Sequence, residues 1–214
     1  MLSRKTLLTL ALMALLMAVG AGLGVYTNRY YHPETSAQSI PGLLWPNPKQ
    51  LSEFTTIAHT GNTFGVNDLK GKWSLLFFGY THCPDICPIT LTLLGQIHAD
   101  LQQHASPALQ TIFVTVDPVR DTTERLAGYI GYFNPDFIAL GGTQDQISRL
   151  TSQIGVASSH GAAGADGNYM VNHSTSILLI DPQARLAGIF SAPHDGETII
   201  RQFADITDFI SRQD

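Results

Sequence analysis

Two residues with metal-binding or redox chemistry, Cys83 and Cys87, are the only cysteines in the chain, and three residues separate them. Residues four apart share one face of a helical turn, so the two sulfurs could bind one metal ion or oxidise to one disulfide. Pro84 and Pro88 stiffen this turn, because each fixes its own φ and lacks a backbone N–H. A helix N-terminus favours thiolate, which both attacks disulfides and binds metals. Redox and metal chemistry therefore both remain open.

An inert structural disulfide is the weaker interpretation of the pair. It would close a very short loop, and the entropy that a disulfide removes from the unfolded chain grows with loop length. Two cysteines are also too few for the disulfide framework of a small secreted domain. The cysteines are therefore predicted to be reactive.

A histidine far along the chain, His173, could complete a metal site with the two sulfurs. It precedes a predicted strand and follows a Gly-, Ala- and Ser-rich segment, residues 157–168, that is predicted to be a flexible loop or an insertion. Two thiolates and one imidazole form a soft set of three ligands that suits copper in either oxidation state. Zinc usually takes a fourth protein ligand. Spacing alone does not distinguish His173 from the other seven of the eight histidines.

The other histidines are given simpler predictions. His82 adjoins Cys83, but its side chain is expected to point away from the sulfur pair, and it is not predicted to be a ligand. Five more are predicted to lie on the surface: His59, His98, His104, His160 and His194.

The elements that must position these residues alternate between strands and helices. Residues 73–80 form a continuous apolar run, typical of a central strand covered on both faces, and the cysteine turn follows it directly. The other predicted elements are a hairpin over 54–57 and 63–66, a helix over 86–104, a strand over 109–116, a helix that opens at Asp121 with Glu124 as its capping partner, a strand near 137–140, a helix over 144–154, a hairpin over 175–180 and 187–190, and a helix over 197–211.

This order predicts an α/β fold with helices on both faces of a mixed sheet. The succession of strand, cysteine turn and helix is that of a thioredoxin-like domain. Reactive groups on such sheets gather beyond the carboxyl ends of the strands, and Cys83 follows the end of the apolar strand. The folded domain is predicted to span residues 53–214.

The N-terminal residues differ in composition from this domain. Arg4 and Lys5 precede residues 7–25, which contain no charged residue and are long enough to cross a bilayer. Basic residues before such a span favour a cytoplasmic N-terminus. Residues 1–31 are therefore predicted to be a cytoplasmic tip and a transmembrane anchor, with a cleavable signal peptide as the alternative.

Either N-terminal interpretation exports the domain. Residues 32–52 contain four prolines and are predicted to be a linker. We expect a single-pass protein of a bacterial-type inner membrane, with its C-terminal domain in the periplasm. The formal net charge is −5 and the basic residues are scattered, which argues against a nucleic-acid partner.

Three motifs carry a resemblance to a known family. Residues 78–88 read FGYTHCPDICP, residues 116–122 read VDPVRDT and residues 171–174 read VNHS. In this order they resemble the signatures of the SCO/SenC family, and the likeness runs from about Pro41 to the C-terminus. One departure concerns residues 181–185, DPQAR, where a glycine before the arginine would be commoner; it affects only a turn.

The resemblance implies a membrane-anchored, thioredoxin-like copper protein that helps to assemble the CuA centre of cytochrome c oxidase. It implies Cys83, Cys87 and His173 as the ligands of one copper ion, Cu(I) or Cu(II), per chain. The implied partner is the copper-binding subunit of the oxidase, with other copper chaperones as further possible partners. The expected function is copper delivery by ligand exchange, which requires no catalysis.

Two other functions remain open for the same residues. In a thiol:disulfide oxidoreductase, Cys83 and Cys87 would attack and resolve a mixed disulfide on the oxidase subunit. The usual two-residue spacing of such enzymes is absent, and no proline directly precedes His173. A peroxidase that used Cys83 with Cys87 as the resolving thiol ranks last, because His173 would then have no role.

Four charged residues near the motifs are candidates for supporting roles. Asp85 lies between the cysteines and could tune the charge of the site, face a partner or simply be solvated. Asp117, Arg120 and Asp121 follow a neighbouring strand, so they could surround the ligands or form a docking surface. Asp117 as a turn residue and Asp121 as a helix cap explain these two nearly as well.

Overall fold

The computed structural model describes residues 13–24, 48–104, 108–164 and 168–212. Residues 13–24 form a helix, α1, with exposed side chains, and belong to a different compact unit from residues 48–212 that the structure describes. Within the described ranges, no helix combines the length and the apolar character that a membrane crossing needs. The rest of the predicted anchor and residues 32–47 of the predicted linker lie outside the described residues.

The second unit alternates strands and helices as predicted. Its elements are β1 (Lys49–Gln50), β2 (Thr55–Ala58), β3 (Thr63–Gly65), a 3-10 turn (Val66–Asp68), β4 (Trp73–Gly79), α2 (Ile86–His104), β5 (Leu109–Thr115), α3 (Thr123–Phe133), β6 (Ile138–Gly141), α4 (Gln144–Gln153), β7 (Ser158–His160), β8 (Val171–His173), β9 (Ile177–Ile180), β10 (Arg185–Phe190) and α5 (Gly196–Ser211).

Eight of these strands form one sheet in the order β1-β10-β9-β4-β5-β6-β2-β3. The pairs β4–β5 and β5–β6 are parallel, whereas the other pairs are antiparallel. Helix α2 packs on β5 and α5, and α3 packs on β6. The predictions of an α/β fold and of a mixed sheet are therefore confirmed.

The centre of the sheet is buried at every position. All seven residues of β4 and all seven of β5 are buried, and Phe77 pairs in register with Phe113. Parallel strands in the middle of a sheet are covered on both faces, which is why β4 is almost entirely apolar and the polar residues of β5 are buried as well. The predicted central strand is confirmed, although it ends at Gly79 rather than at Tyr80.

The direction of β9 determines which groups meet at the end of β4. Strand β9 runs antiparallel to β4, and Ile177, its first residue, pairs with Phe77 near the carboxyl end of β4. The residues just before β9 therefore reach the same edge of the sheet as the cysteine turn. His173 lies at the end of β8, in this segment.

The folded domain begins earlier than predicted. Lys49–Gln50, assigned to the linker from the sequence, form β1 and pair with β10, and Leu51 is buried. The Leu51 N–H donates to the Ala184 carbonyl over 3.1 Å. Without β1, strand β10 would be the edge of the sheet, and the free backbone groups of an edge strand can pair with a neighbouring segment whatever its side chains are.

Two local predictions are also corrected. Helix α3 is capped by Thr122, whose hydroxyl accepts a hydrogen bond from the Arg125 N–H over 3.3 Å, and not by Asp121. Residues 158–160, predicted to lie in a flexible loop, form β7 and pair with β8. The backbone groups of β8 give this segment hydrogen-bond partners that its own composition does not reveal.

His98 is wrongly predicted as a surface residue. It is only 3% exposed, and its Nδ1 lies 2.9 Å from the Thr111 hydroxyl. It follows Leu94 by four residues and precedes Leu101 by three, so it lies on the buried face of α2. His59, by contrast, is half-buried, and His160 is exposed.

Candidate metal centre

The cysteine turn begins where β4 ends, at Gly79. A Cβ at this position would lie 2.9 Å from Cys87 Sγ and 2.7 Å from Phe113 Cε2. Only glycine therefore allows the sulfur to approach the strand so closely. The turn is further held by the Cys83 N–H, which donates to the Tyr80 carbonyl over 3.1 Å.

Both sulfurs lie at the start of α2, which begins at Ile86. Cys87 is therefore in the first turn, and its N–H donates to Cys83 Sγ over 3.4 Å. Pro88, also in the first turn, lacks an N–H where none is needed. Both cysteines are free thiols. The first turn thus presents the two sulfurs side by side.

His173 completes a cluster with these two sulfurs. One side-chain ligand atom from each of Cys83, Cys87 and His173 lies within 4.8 Å of the others, and His173 Nε2 is 3.6 Å from Cys87 Sγ. Nδ1 donates to the Ser174 carbonyl over 2.8 Å. Because a carbonyl only accepts hydrogen bonds, Nδ1 carries the proton of the neutral ring, and Nε2 keeps a lone pair for a metal.

Burial favours the neutral forms of Cys87 and His173 when no metal is bound. Cys87 is fully buried and Cys83 is 9% exposed. Burial raises the pKa of the Cys87 thiol, and the neighbouring Cys83 raises it further. Burial also lowers the pKa of His173. A metal ion that binds here would displace the thiol protons, as is usual for cysteine ligands.

Aromatic rings form the walls around His173. The Tyr80 ring stands perpendicular to the imidazole, with centroids 5.9 Å apart, and the Phe77 ring lies 6.5 Å away. Tyr80, Phe77 and Phe78 are all buried. The rings limit how far the imidazole can turn.

Asp121 ties the cysteine turn to the end of β5. Its buried carboxylate accepts hydrogen bonds from the Thr81 N–H at 3.0 Å, the Thr81 hydroxyl at 2.6 Å and the Thr115 hydroxyl at 2.6 Å. His82 Nδ1 lies 3.8 Å from the same carboxylate. Asp121 therefore holds the residues immediately before Cys83, and His82 is associated with this carboxylate.

Asp117 and Arg120 hold the segment that leads to His173. The buried Asp117 carboxylate accepts hydrogen bonds from Arg120 Nε and from the Tyr169 hydroxyl, the latter at 2.8 Å. Arg120 Nη2 donates to the Tyr169 carbonyl over 3.0 Å, and its guanidinium lies 3.6 Å from the Tyr169 ring centroid. His160 Nε2 is 3.9 Å from Asp117. These contacts join the loop after β5 to the β7–β8 hairpin.

Asp85 differs from the other candidate acidic residues because it is exposed. It lies between the cysteines on the outer side of the turn, next to Ile86 and near Ile89, which are also exposed. A partner that approached Cys83 would meet this surface. Of the four charged candidates, Asp85 therefore faces solvent, whereas Asp121 holds the cysteine turn and Asp117 and Arg120 hold the β7–β8 hairpin.

Sequence reasoning missed several residues that shape the site. Gly79 could have been found, since it ends an apolar strand directly before the cysteine turn. Tyr169 and Thr81 could not, because their partners Asp117 and Asp121 lie 52 and 40 residues away in the chain. Met170, which accepts a hydrogen bond from Tyr80, was not noticed either.

Comparison with known proteins agrees with this geometry. The SCO1/SenC family model matches residues 46–208. The mitochondrial protein SCO2 homolog of Bos taurus is 36% identical over 148 residues, which are 69% of this chain and 56% of that protein. An SCO2-like protein of Rickettsia conorii is 37% identical over 174 residues, or 80% of this chain and 83% of that protein.

A solved structure extends the likeness to the fold. The crystal structure of Arabidopsis thaliana ScoI with copper bound superimposes with a TM-score of 0.70 at 28% identity, covering 73% of this chain and 97% of that one. This chain therefore spans nearly all of that solved domain, but only a little over half of the bovine protein. With the family match over most of its length, the chain belongs to the SCO1/SenC family.

Proposed function

We propose that this protein binds one copper ion through Cys83, Cys87 and His173 and delivers it to the copper-binding subunit of cytochrome c oxidase. The observation that carries the proposal is the meeting of two thiols and one imidazole within 4.8 Å, from segments 86 residues apart. Membership of a family whose members assemble the oxidase supports the partner, and the copper in the Arabidopsis relative supports the metal.

The donor set favours copper over other common metals. Two thiolates and an imidazole are soft or borderline ligands, which suit Cu(I) and also accept Cu(II). The described residues offer no fourth His, Cys, Asp or Glu in the cluster, as a structural zinc site would usually need. The hydrogen bond from Nδ1 to Ser174 fixes the imidazole with Nε2 towards Cys87.

The burial of the ligands suits transfer rather than permanent storage. Cys87 is fully buried, whereas Cys83 retains 9% exposure and His173 is half-buried. An acceptor with its own thiolate or imidazole ligands could therefore replace Cys83 and His173 first and Cys87 last. Stepwise exchange keeps the ion bound throughout, so the protein works as a metallochaperone and no bond of a substrate is broken.

Thiol:disulfide exchange is the second candidate function, and one observation supports it. Cys83, which is 9% exposed, and Cys87, which is fully buried, also have the arrangement of an attacking thiol with a resolving thiol behind it. In that reaction Cys83 would attack a disulfide of the oxidase subunit, and Cys87 would then displace the reduced subunit and close a Cys83–Cys87 disulfide. This function gives His173 no direct role, so it is less favoured.

Two measurements on the purified full chain separate the candidates. His173→Ala should weaken Cu(II) retention by at least ~10-fold, the loss expected when one ligand is removed, and leave the reduction of a thiol substrate nearly unchanged. His82→Ala is the matched control, because His82 lies near the cluster but faces Asp121. Unaltered copper binding in His173→Ala, together with loss of reductase turnover in Cys83→Ser and Cys87→Ser, would refute copper delivery.

We further propose that residues 7–25 anchor the protein in a bacterial-type inner membrane with the domain in the periplasm. The uncharged run and the preceding Arg4 and Lys5 support this placement. In spheroplasts, protease should degrade a tag at the C-terminus but spare one at the N-terminus. Protection of both tags would contradict the orientation, and the mass of the mature protein distinguishes an anchor from a cleaved signal peptide.

A further inference from the structure

Met170 is an exposed thioether beside the candidate metal centre. The other methionines of the chain are Met1, Met13 and Met17, so this is the only one in the folded domain. Its side chain is 55% exposed, although unbranched apolar side chains are usually buried. Its backbone is fixed, because its carbonyl accepts a hydrogen bond from the Gly161 N–H over 2.8 Å. It lies three residues before His173.

The sulfur of Met170 is hydrogen-bonded to Tyr80, a residue that contacts His173. The Tyr80 hydroxyl donates to Met170 Sδ over 3.6 Å, and the ring of Tyr80 packs perpendicular to that of His173. The residue that contacts the thioether therefore also contacts the imidazole.

A thioether in this position has a chemistry of its own. It is a soft, neutral ligand that binds Cu(I) and is weaker than a thiolate. Methionine also has three rotatable side-chain bonds, so its sulfur can move when the Tyr80 hydrogen bond is given up. Neither property is needed for packing, since the side chain is largely in solvent.

We propose that Met170 is an auxiliary Cu(I) ligand, which replaces His173 while the ion enters or leaves the Cys83–Cys87 pair. The inference rests on the proposed copper function and adds a soft ligand to it. Cu(I) is satisfied by two or three soft ligands, so exchange of imidazole for thioether keeps it three-coordinate. Cu(II) prefers nitrogen to thioether and should not use Met170.

A double-mutant cycle tests this role on the full chain, with Cu(I) affinity measured by competition against a Cu(I)-specific chelator. Met170→Leu should change the affinity by less than about twofold while His173 is present. In the His173→Ala background the same substitution should lower it by at least ~10-fold, which corresponds to ~1.4 kcal/mol. Tyr80→Phe frees the thioether without removing it, and should leave the coupling intact.

Ile89→Leu provides the matched control, because Ile89 is another exposed apolar residue beside the cysteine turn and has no sulfur. It should have no effect in either background. If Met170→Leu changes the Cu(I) affinity equally in both backgrounds, Met170 is not a ligand and the inference is overturned. Failure of the unaltered chain to bind Cu(I) would instead refute the proposed function itself.

Discussion

Replacing Gly79 by alanine should push the sulfur of Cys87 out of the candidate metal centre. The new Cβ would lie 2.9 Å from Cys87 Sγ and 2.7 Å from Phe113 Cε2. Ordinary contacts between non-bonded heavy atoms are about 3.5–4.0 Å, so the sulfur must retreat by roughly 0.6–1 Å. Gly79 itself cannot retreat easily, because it is the last residue of a buried strand paired in register with β5.

Two magnitudes follow from this displacement. Overpacking of a tightly packed core costs about 1–3 kcal/mol of folding free energy. Metal–ligand distances tolerate only about 0.2 Å of error, so a shift of ~0.6 Å should lower Cu(I) affinity by at least ~10-fold. With a urea m-value of about 2 kcal/mol/M, the unfolding midpoint of the metal-free protein should fall by roughly 0.5–1.5 M.

Gly128→Ala provides the matched control. Gly128 is exposed within α3, and an added Cβ would meet nothing within 4 Å. Alanine is favoured over glycine inside a helix by about 0.5–1 kcal/mol, so this variant should be slightly more stable and bind Cu(I) normally. Urea unfolding and chelator competition measure both effects. If Gly79→Ala is as stable as the unaltered protein and binds copper as tightly, the proposed steric role of Gly79 is wrong.

Three further substitutions test other groups of the fold. Asp121→Asn should lower the free energy of unfolding by about 1–3 kcal/mol, because it removes a buried carboxylate that accepts hydrogen bonds from Thr81 and Thr115. An unchanged urea midpoint of unfolding would contradict this stabilising role. Asp117→Asn should weaken Cu(II) retention more than Cu(I) binding, because it loosens the hairpin that carries the imidazole. Visible absorption measures the Cu(II) retention. Equal losses of Cu(II) and Cu(I) binding would argue against a positioning role for Asp117. Burial lowers the pKa of His98, so the unfolded chain binds a proton more readily than the folded chain. Its contribution to stability is therefore complete above the ordinary pKa of 6.5 and is lost as the pH falls below it towards the lowered pKa. Replacement of His98 by glutamine should reduce the stability difference between about pH 7.5 and about pH 5, and identical differences in both proteins would show that another group is responsible.

Local sequence signals were sufficient for the part of the site that is local in the chain. The apolar run before the cysteines predicted β4, and the four-residue spacing of Cys83 and Cys87 predicted that their sulfurs would share one turn. Both follow from short-range rules, namely burial of parallel strands and the period of the helix. The structure changes only the last residue of the strand, Gly79.

The position of His173 could not be worked out in the same way. It depends on β9 running antiparallel to β4, which brings the start of β9 to the carboxyl end of β4. Strand direction is decided by pairing across the sheet and cannot be predicted from the local sequence. Only the family resemblance indicated His173, and the structure now gives the geometric reason for its approach to Cys87.

Two wrong predictions have different causes. The local sequence predicts Asp121 as a helix cap, but in the folded protein its carboxylate accepts hydrogen bonds from Thr81 and Thr115 instead. The surface prediction for His98 is wrong although its spacing from Leu94 and Leu101 places it on the buried face of α2. The first error needed the tertiary structure to correct it, whereas the second could have been avoided.

X-ray absorption at the copper edge tests the central claim most directly. The Cu(I)-loaded full chain should show a first coordination sphere of two sulfurs and one nitrogen, from Cys83, Cys87 and His173. In Cys83→Ser or Cys87→Ser one sulfur should be lost, and in His173→Ala the nitrogen contribution should disappear. A first sphere of nitrogen and oxygen alone, or a spectrum that is the same in His173→Ala, would contradict the three-ligand copper centre.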